Sequence, residues 1–215
     1  MAFDLGAGTE FPLAISAEAS LELPYRILAR ADVGWMPSPY SNTIVDLLDT
    51  FGAIDSLEEQ LIKDAIQSSF AGSLSAGWRP FPMLGLEALV GYTLLTAGGG
   101  VSGADVVDAY LQEKGSSDRV PMDANRGIPL SATLHSFRAT VDWRWLLASD
   151  HLVLRASVTY LQTFASKTSV NLTPPRPAER EIVERVNGDI QGYLNPYFTT
   201  YVKVPLLGVT AAYRF

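Results

Sequence analysis

The stretch "SATLHSF" sets His135 beside Ser136, the pairing of residue types from which a general base and a nucleophile are built. In an extended strand, neighbouring side chains leave opposite faces, so Ser131 and Thr133 share the face of His135 while Ser136 lies behind it. His135 is thus a weak catalytic candidate with no matched motif around it. The other histidine, His151, falls in a turn-like segment and is expected to be solvated. With two histidines and no cysteine, disulfides, thiol catalysis and zinc-cysteine sites are excluded, and no histidine-rich metal centre is expected. The acidic run "SLEEQ" lacks the spacing of a calcium loop, and the glycine-rich run through Gly98, Gly99 and Gly100 lacks the G-x-x-x-x-G-K pattern of a phosphate-cradling loop. No cofactor is expected, and no enzymatic activity is assigned.

Bulk properties narrow the class. The chain has 215 residues, 47% hydrophobic and 18% charged, with a formal net charge of -7. That balance excludes a broad basic footprint for nucleic acid, and no linker splits the chain, so 1–215 reads as a single domain. No window is apolar enough for a transmembrane helix, a test to which strands of about 10 residues are blind. The opening "MAFDLGAGTE" has neither a basic n-region nor an apolar h-region, and the expectation is either a cytosolic chain or a mature form.

Any chemistry must be positioned by strands. In "LAISAEASLEL" and "RILARADVGW", one face carries Leu13, Ile15, Leu21, Ile27, Val33 and Trp35 and the other Glu18, Glu22, Arg26, Arg30 and Asp32, with a turn at "LPY". The pattern recurs in "FAGSLSAGWR" and "LGLEALVGYTL", joined by "PFPM", where Trp78, Val90 and Tyr92 oppose Arg79 and Glu87. It recurs again in "FRATVDWRW" and "LVLRASVTY", joined by "LLASD", where Phe137, Val141, Trp143, Trp145 and Tyr160 oppose Arg138, Asp142, Arg144 and Arg155. The closing "VPLLGVTAAYRF" places Leu207, Val209, Ala211, Tyr213 and Phe215 opposite Arg214. An eighth strand is assigned to "AFDLGAGT", turning at "EFP"; the rival is "PYFTTYVKV", turning at Pro205.

Alternation alone does not decide which face is internal, and a soluble β-fold would bury the apolar one. Two features argue for the inverse. Trp35, Trp78, Trp143 and Trp145 lie near strand ends, and with Tyr92, Tyr160, Tyr213 and Phe215 they form two belts, as in an interfacial aromatic girdle. The opposite face mixes both signs and prefers arginine, whose donor fork suits an enclosed carboxylate network. The interior network reads as Glu18, Glu22, Arg26, Arg30, Asp32, Arg79, Glu87, Arg138, Asp142, Arg144, Arg155 and Arg214, with Lys203 dependent on the last strand.

The terminal Phe215, with apolar residues at every second position before it, resembles the C-terminal signal of Gram-negative outer-membrane β-barrel proteins. Across nearly the whole chain, the architecture is similar to the small eight-stranded barrels of the OmpA, OmpX and OmpW kind. The resemblance implies an all-β membrane protein, an eight-stranded antiparallel up-and-down barrel in the bacterial outer membrane. It also implies lipid as surroundings, a C-terminal strand read by the barrel-assembly machinery, and a periplasmic C-terminus with the long connections outside. Because some such barrels modify lipids with a histidine and a serine, it lends His135 its weak catalytic candidacy.

The long connections, at about 37–69, 102–128 and 170–203, depart from that pattern by reading as helical. "NTIVDLLDTF" and "SLEEQLIKDAIQ" carry apolar stripes at helical spacing, and Ser56 and Glu59 form a capping box. The expectation is a monomer with a charge-plugged interior and a helical extracellular cap in a structural, ligand-binding or partner-binding role. The alternatives are transport of a small hydrophobic solute and outer-leaflet lipid modification.

Overall fold

The computed structural model describes residues 1–37, 40, 69–102, 127–170, 188, 192, 195–196, 199–200 and 202–215. The three segments read as helical insertions lie almost wholly outside the described residues.

Eight strands form in chain order: β1 Ala2–Phe11, β2 Ala14–Glu22, β3 Ile27–Trp35, β4 Phe70–Phe81, β5 Leu86–Ser102, β6 Gly127–Leu147, β7 Leu152–Val170 and β8 Lys203–Arg214. Each pairs antiparallel with its sequence neighbour, and β1 pairs with β8, so the sheet closes into a barrel. The N-terminal segment is therefore the eighth wall, and β8 begins at Lys203 rather than turning at Pro205.

The short turns carry the expected punctuation. Tyr25 and Arg26 have φ of 63° and 67° between β2 and β3, and Ala148, Ser149 and Asp150 are all at positive φ between β6 and β7. Between β4 and β5, Gly85 has φ 67°, and a Cβ there would lie 2.1 Å from the carbonyl oxygen of Arg144, so only glycine fits. These three turns and both termini occupy one end of the barrel. The β1–β2 turn lies at the other, as do the strand ends at Trp35, Phe70, Ser102, Gly127, Val170 and Lys203 that the three long connections join.

The closing seam is tight. A Cβ on Gly6 would stand 2.3 Å from the carbonyl oxygen of Ala211 and 2.5 Å from Cβ of Ala212. Small residues on both strands let β1 and β8 draw together there. The barrel rim is uneven: β5, β6 and β7 run 17, 21 and 19 residues against 9 to 12 for the others, and project at the long-connection end.

Apolar residues cover the exterior. Val33, Leu74, Val90, Val141, Val158, Leu207 and Val209 are all exposed, in strands whose alternate residues are largely buried. Such a surface has no stable home in water and suits lipid, where closure through β1 and β8 removes the open sheet edge over the height the eight strands share.

Candidate functional site

Among the described residues, the lumen holds the carboxylates of Asp4, Glu10, Glu18, Glu22, Asp32, Glu87 and Asp142 and the guanidiniums of Arg30, Arg79, Arg138, Arg144, Arg155 and Arg214. Their positions follow from strand parity, every second residue turning inward.

Toward the short-turn end, Glu22 on β2 accepts from Arg79 Nη1 on β4 at 2.8 Å and lies 3.3 Å from Arg144 on β6 and 3.4 Å from Arg214 on β8. Asp4 on β1 accepts from Arg214 Nε at 2.7 Å and also from Arg155 on β7. Glu87, the second residue of β5, is 1% exposed and meets Arg79 at 2.9 Å, Arg30 at 3.3 Å, Arg144 at 3.3 Å and Arg155 at 3.7 Å. Asp142 on β6 lies 2.6 Å from Arg30 Nη1 on β3, and Glu18 accepts from Arg155 Nη1 at 2.5 Å. Nearer the long-connection end, Arg138 pairs with Glu10 and with Asp32 at 3.3 Å, and donates to Ser73 Oγ at 2.7 Å.

Most of these pairs join strands that are not neighbours in the sheet, so they cross the lumen rather than run along its wall. Arginine supplies several donors in a rigid fork, which lets one side chain bind carboxylates on different strands at once. The lining of Glu10, Glu18, Arg30, Asp32, Asp142 and Arg155 encloses a cavity of about 10 Å³, room for about one water molecule.

Beyond the charges, the lumen becomes apolar. Leu13, Ala14, Ala71, Leu95, Leu134, Leu161 and Leu206 pack together, with Met36 and Val204 against them. Sequence alternation gives no warning of this layer, because leucines such as Leu94 and Leu95 occupy both faces.

The network read from the sequence needs two corrections and two additions. Arg26 is exposed in the β2–β3 turn, where its positive φ takes it out of strand parity, and it donates to the Pro80 carbonyl at 3.3 Å. Lys203 is exposed on the outward parity of β8. Asp4 and Glu10 escape sequence reasoning, although they share inward parity with Gly6 and Gly8; a strand without bulky residues on that face gives a weak signal.

The aromatic residues separate by level. Trp78, Trp143, Trp145, Tyr213 and Phe215 lie toward the short-turn end, joined by Phe3 and Phe81. Trp35, Tyr92 and Tyr160 lie toward the long-connection end, with Phe11, Phe70 and Phe164.

His135 and Ser136 are not brought together. His135 is half-buried on the outer surface, its Nδ1 2.5 Å from the Tyr92 hydroxyl; Ser136 is fully buried on the other face and bonds Thr163 at 2.9 Å. His151 is exposed and stacks on Tyr213 at 5.7 Å. Among the described residues, no cluster of ligating side chains could hold a metal.

No protein-family model matches the chain, and no curated protein matches it in sequence. Among solved structures, the chain is similar to a major outer membrane protein from Thermus thermophilus. The identity is 16% and the TM-score 0.50, covering 100% of this chain and 98% of that one. A match to CarO of Acinetobacter baumannii has 11% identity and a TM-score of 0.33 over 100% and 97% of the two chains, too distant to carry weight. The closed sheet, the apolar exterior and the first of these likenesses agree on the fold: an eight-stranded antiparallel β-barrel of the kind that outer-membrane protein has.

Proposed function

We propose that the chain is a non-porous, monomeric outer-membrane barrel whose charged lumen acts as a rigid lock and whose long connections present a surface for an extracellular ligand or protein. The observation that carries this reading is the set of ion pairs spanning the lumen between non-adjacent strands, Arg30 with Asp142 and Glu22 with Arg79, above which the leucine layer adds an apolar seal. Buried charges of this density persist only when paired and hydrogen-bonded, so the interior favours one closed arrangement. The periplasmic C-terminus, with the terminal Phe215 strand recognised during assembly, belongs to the same reading.

Purified protein in planar lipid bilayers tests it. No stepwise conductance is expected; reproducible conductance steps would contradict a closed lumen.

The leucine layer favours a second reading, in which a small hydrophobic solute enters from the long-connection end and leaves sideways into the bilayer. Uptake of an apolar solute into vesicles would rise above that of protein-free vesicles in that case. Lipid modification draws no support from the geometry, since Ser136 lies behind His135.

A further inference from the structure

We infer that the outward face of β5, β6 and β7 at the long-connection end is a binding site for the phosphate of a membrane lipid headgroup, with Lys167 and His135 as its donors. The inference rests on the bilayer placement proposed above.

Depth is the first argument. From Trp145 to His135, β6 advances about 25 Å along the barrel axis, at ~3.4 Å per residue and ~40° tilt, the height of the apolar band of such barrels. His135 therefore stands at the interface opposite the Trp143 and Trp145 belt. Lys167 faces Thr133 in the register of β6 and β7, about 5 Å farther out by the same rise and tilt, at the level of headgroups.

Orientation is the second. Up to Thr163, odd-numbered residues of β7 face the lumen: Arg155, Thr159, Leu161 and Thr163 are all buried. The ladder then pairs Ser136 with Thr163 and His135 with Ala165, leaving Phe164 as an inserted residue. Beyond this bulge the parity inverts, so Thr168 is buried and Lys167 is exposed. Without the insertion, Lys167 would turn toward the lumen. A bulge that re-aims one side chain is a recurrent device beside binding sites.

Chemistry is the third. The Tyr92 hydroxyl lies 2.5 Å from Nδ1 of His135; in the tautomer where that hydroxyl donates, the ring proton sits on Nε2 and can be given to a phosphate oxygen. Phe164 packs its ring 6.5 Å from His135 and 6.4 Å from Tyr92, an apolar footing beneath the donors for the start of an acyl chain. Among the described strand residues every carboxylate faces the lumen, and none of them pairs with Lys167.

The test uses the full chain in dodecyl maltoside micelles doped with phosphatidic acid or with diacylglycerol of the same chains, retained lipid being read by native mass spectrometry. Phosphatidic acid is expected to be retained over diacylglycerol. Lys167→Ala should weaken it about fivefold, the worth of one lysine near an anionic lipid surface, and His135→Ala should weaken it as well. Lys203→Ala, which removes the other exposed lysine among the described residues, should leave it unchanged. Equal retention of the two lipids by a heat-resistant barrel, or equal loss from Lys203→Ala, would overturn the site while leaving the barrel intact. Displacement by inorganic phosphate alone would overturn the lipid assignment. A chain that stays soluble and monomeric without detergent would overturn this inference and the bilayer placement together.

Discussion

Arg30 on β3 and Asp142 on β6 meet across the lumen, Nη1 to Oδ2, at 2.6 Å. Asp142 is fully buried, and Arg30 also reaches Glu18 and Glu87. A contact of this kind ties opposite walls of the barrel and occupies the space a channel would need. Replacing Asp142 with Ala leaves part of a buried guanidinium uncompensated, whereas removing Arg30 as well deletes the charge that suffers. The double variant should therefore be destabilised by less than the sum of the singles, with a coupling of about 0.5–3 kcal/mol. Urea unfolding of the four proteins in micelles, followed by tryptophan fluorescence, gives that coupling.

Glu87 is the hub of the network, within ion-pair distance of Arg30, Arg79, Arg144 and Arg155. Glu87→Ala should cost about 3–5 kcal/mol, the penalty for leaving buried charges unpaired. The same unfolding measurement checks it, with the largest single loss among lumen carboxylates expected here.

The alternation that makes the strands legible also separates lumen from exterior, because a period of two leaves little freedom once one residue is placed. It fails where the period itself breaks. Strand parity extended past β2 and β3 turns Arg26 inward, but Tyr25 and Arg26 adopt positive φ in the turn between them. The direction of Lys203 depends on the register of β8, which its own segment does not carry. The bulge at Phe164 is a property of pairing between β6 and β7, which no single segment records. The apolar layer of Leu95, Leu134, Leu161 and Leu206 is not legible because leucines occupy both faces of their strands, where hydropathy carries no direction.

The seam between β1 and β8 should be intolerant of side chains. Gly6→Val places branched carbon against Ala211 and Ala212, whose backbone would have to shift, so the heat-resistant form on unboiled gels should be lost. Gly98→Ala is the control: a Cβ there meets nothing within 4 Å, and the folded band should remain.

Val141 is 51% exposed, between the two aromatic levels of β6. On a solvated surface an arginine there would be nearly neutral. Against lipid, Val141→Arg should cost about 2–4 kcal/mol, read as a lower unfolding midpoint in bilayers. A midpoint equal to that of the parent would argue against a lipid-facing position.

Because the chain has no cysteine, single cysteines can be introduced without a background. Spin labels placed one at a time at 137 to 143, in protein reconstituted into bilayers, report collisions with oxygen, which concentrates in lipid, and with a water-soluble nickel complex. The fold predicts oxygen maxima at 137, 139, 141 and 143, with 138, 140 and 142 shielded from both probes. Maxima of nickel collision at 137, 139, 141 and 143, or oxygen maxima at the positions between them, would contradict an apolar exterior around a closed, charged lumen.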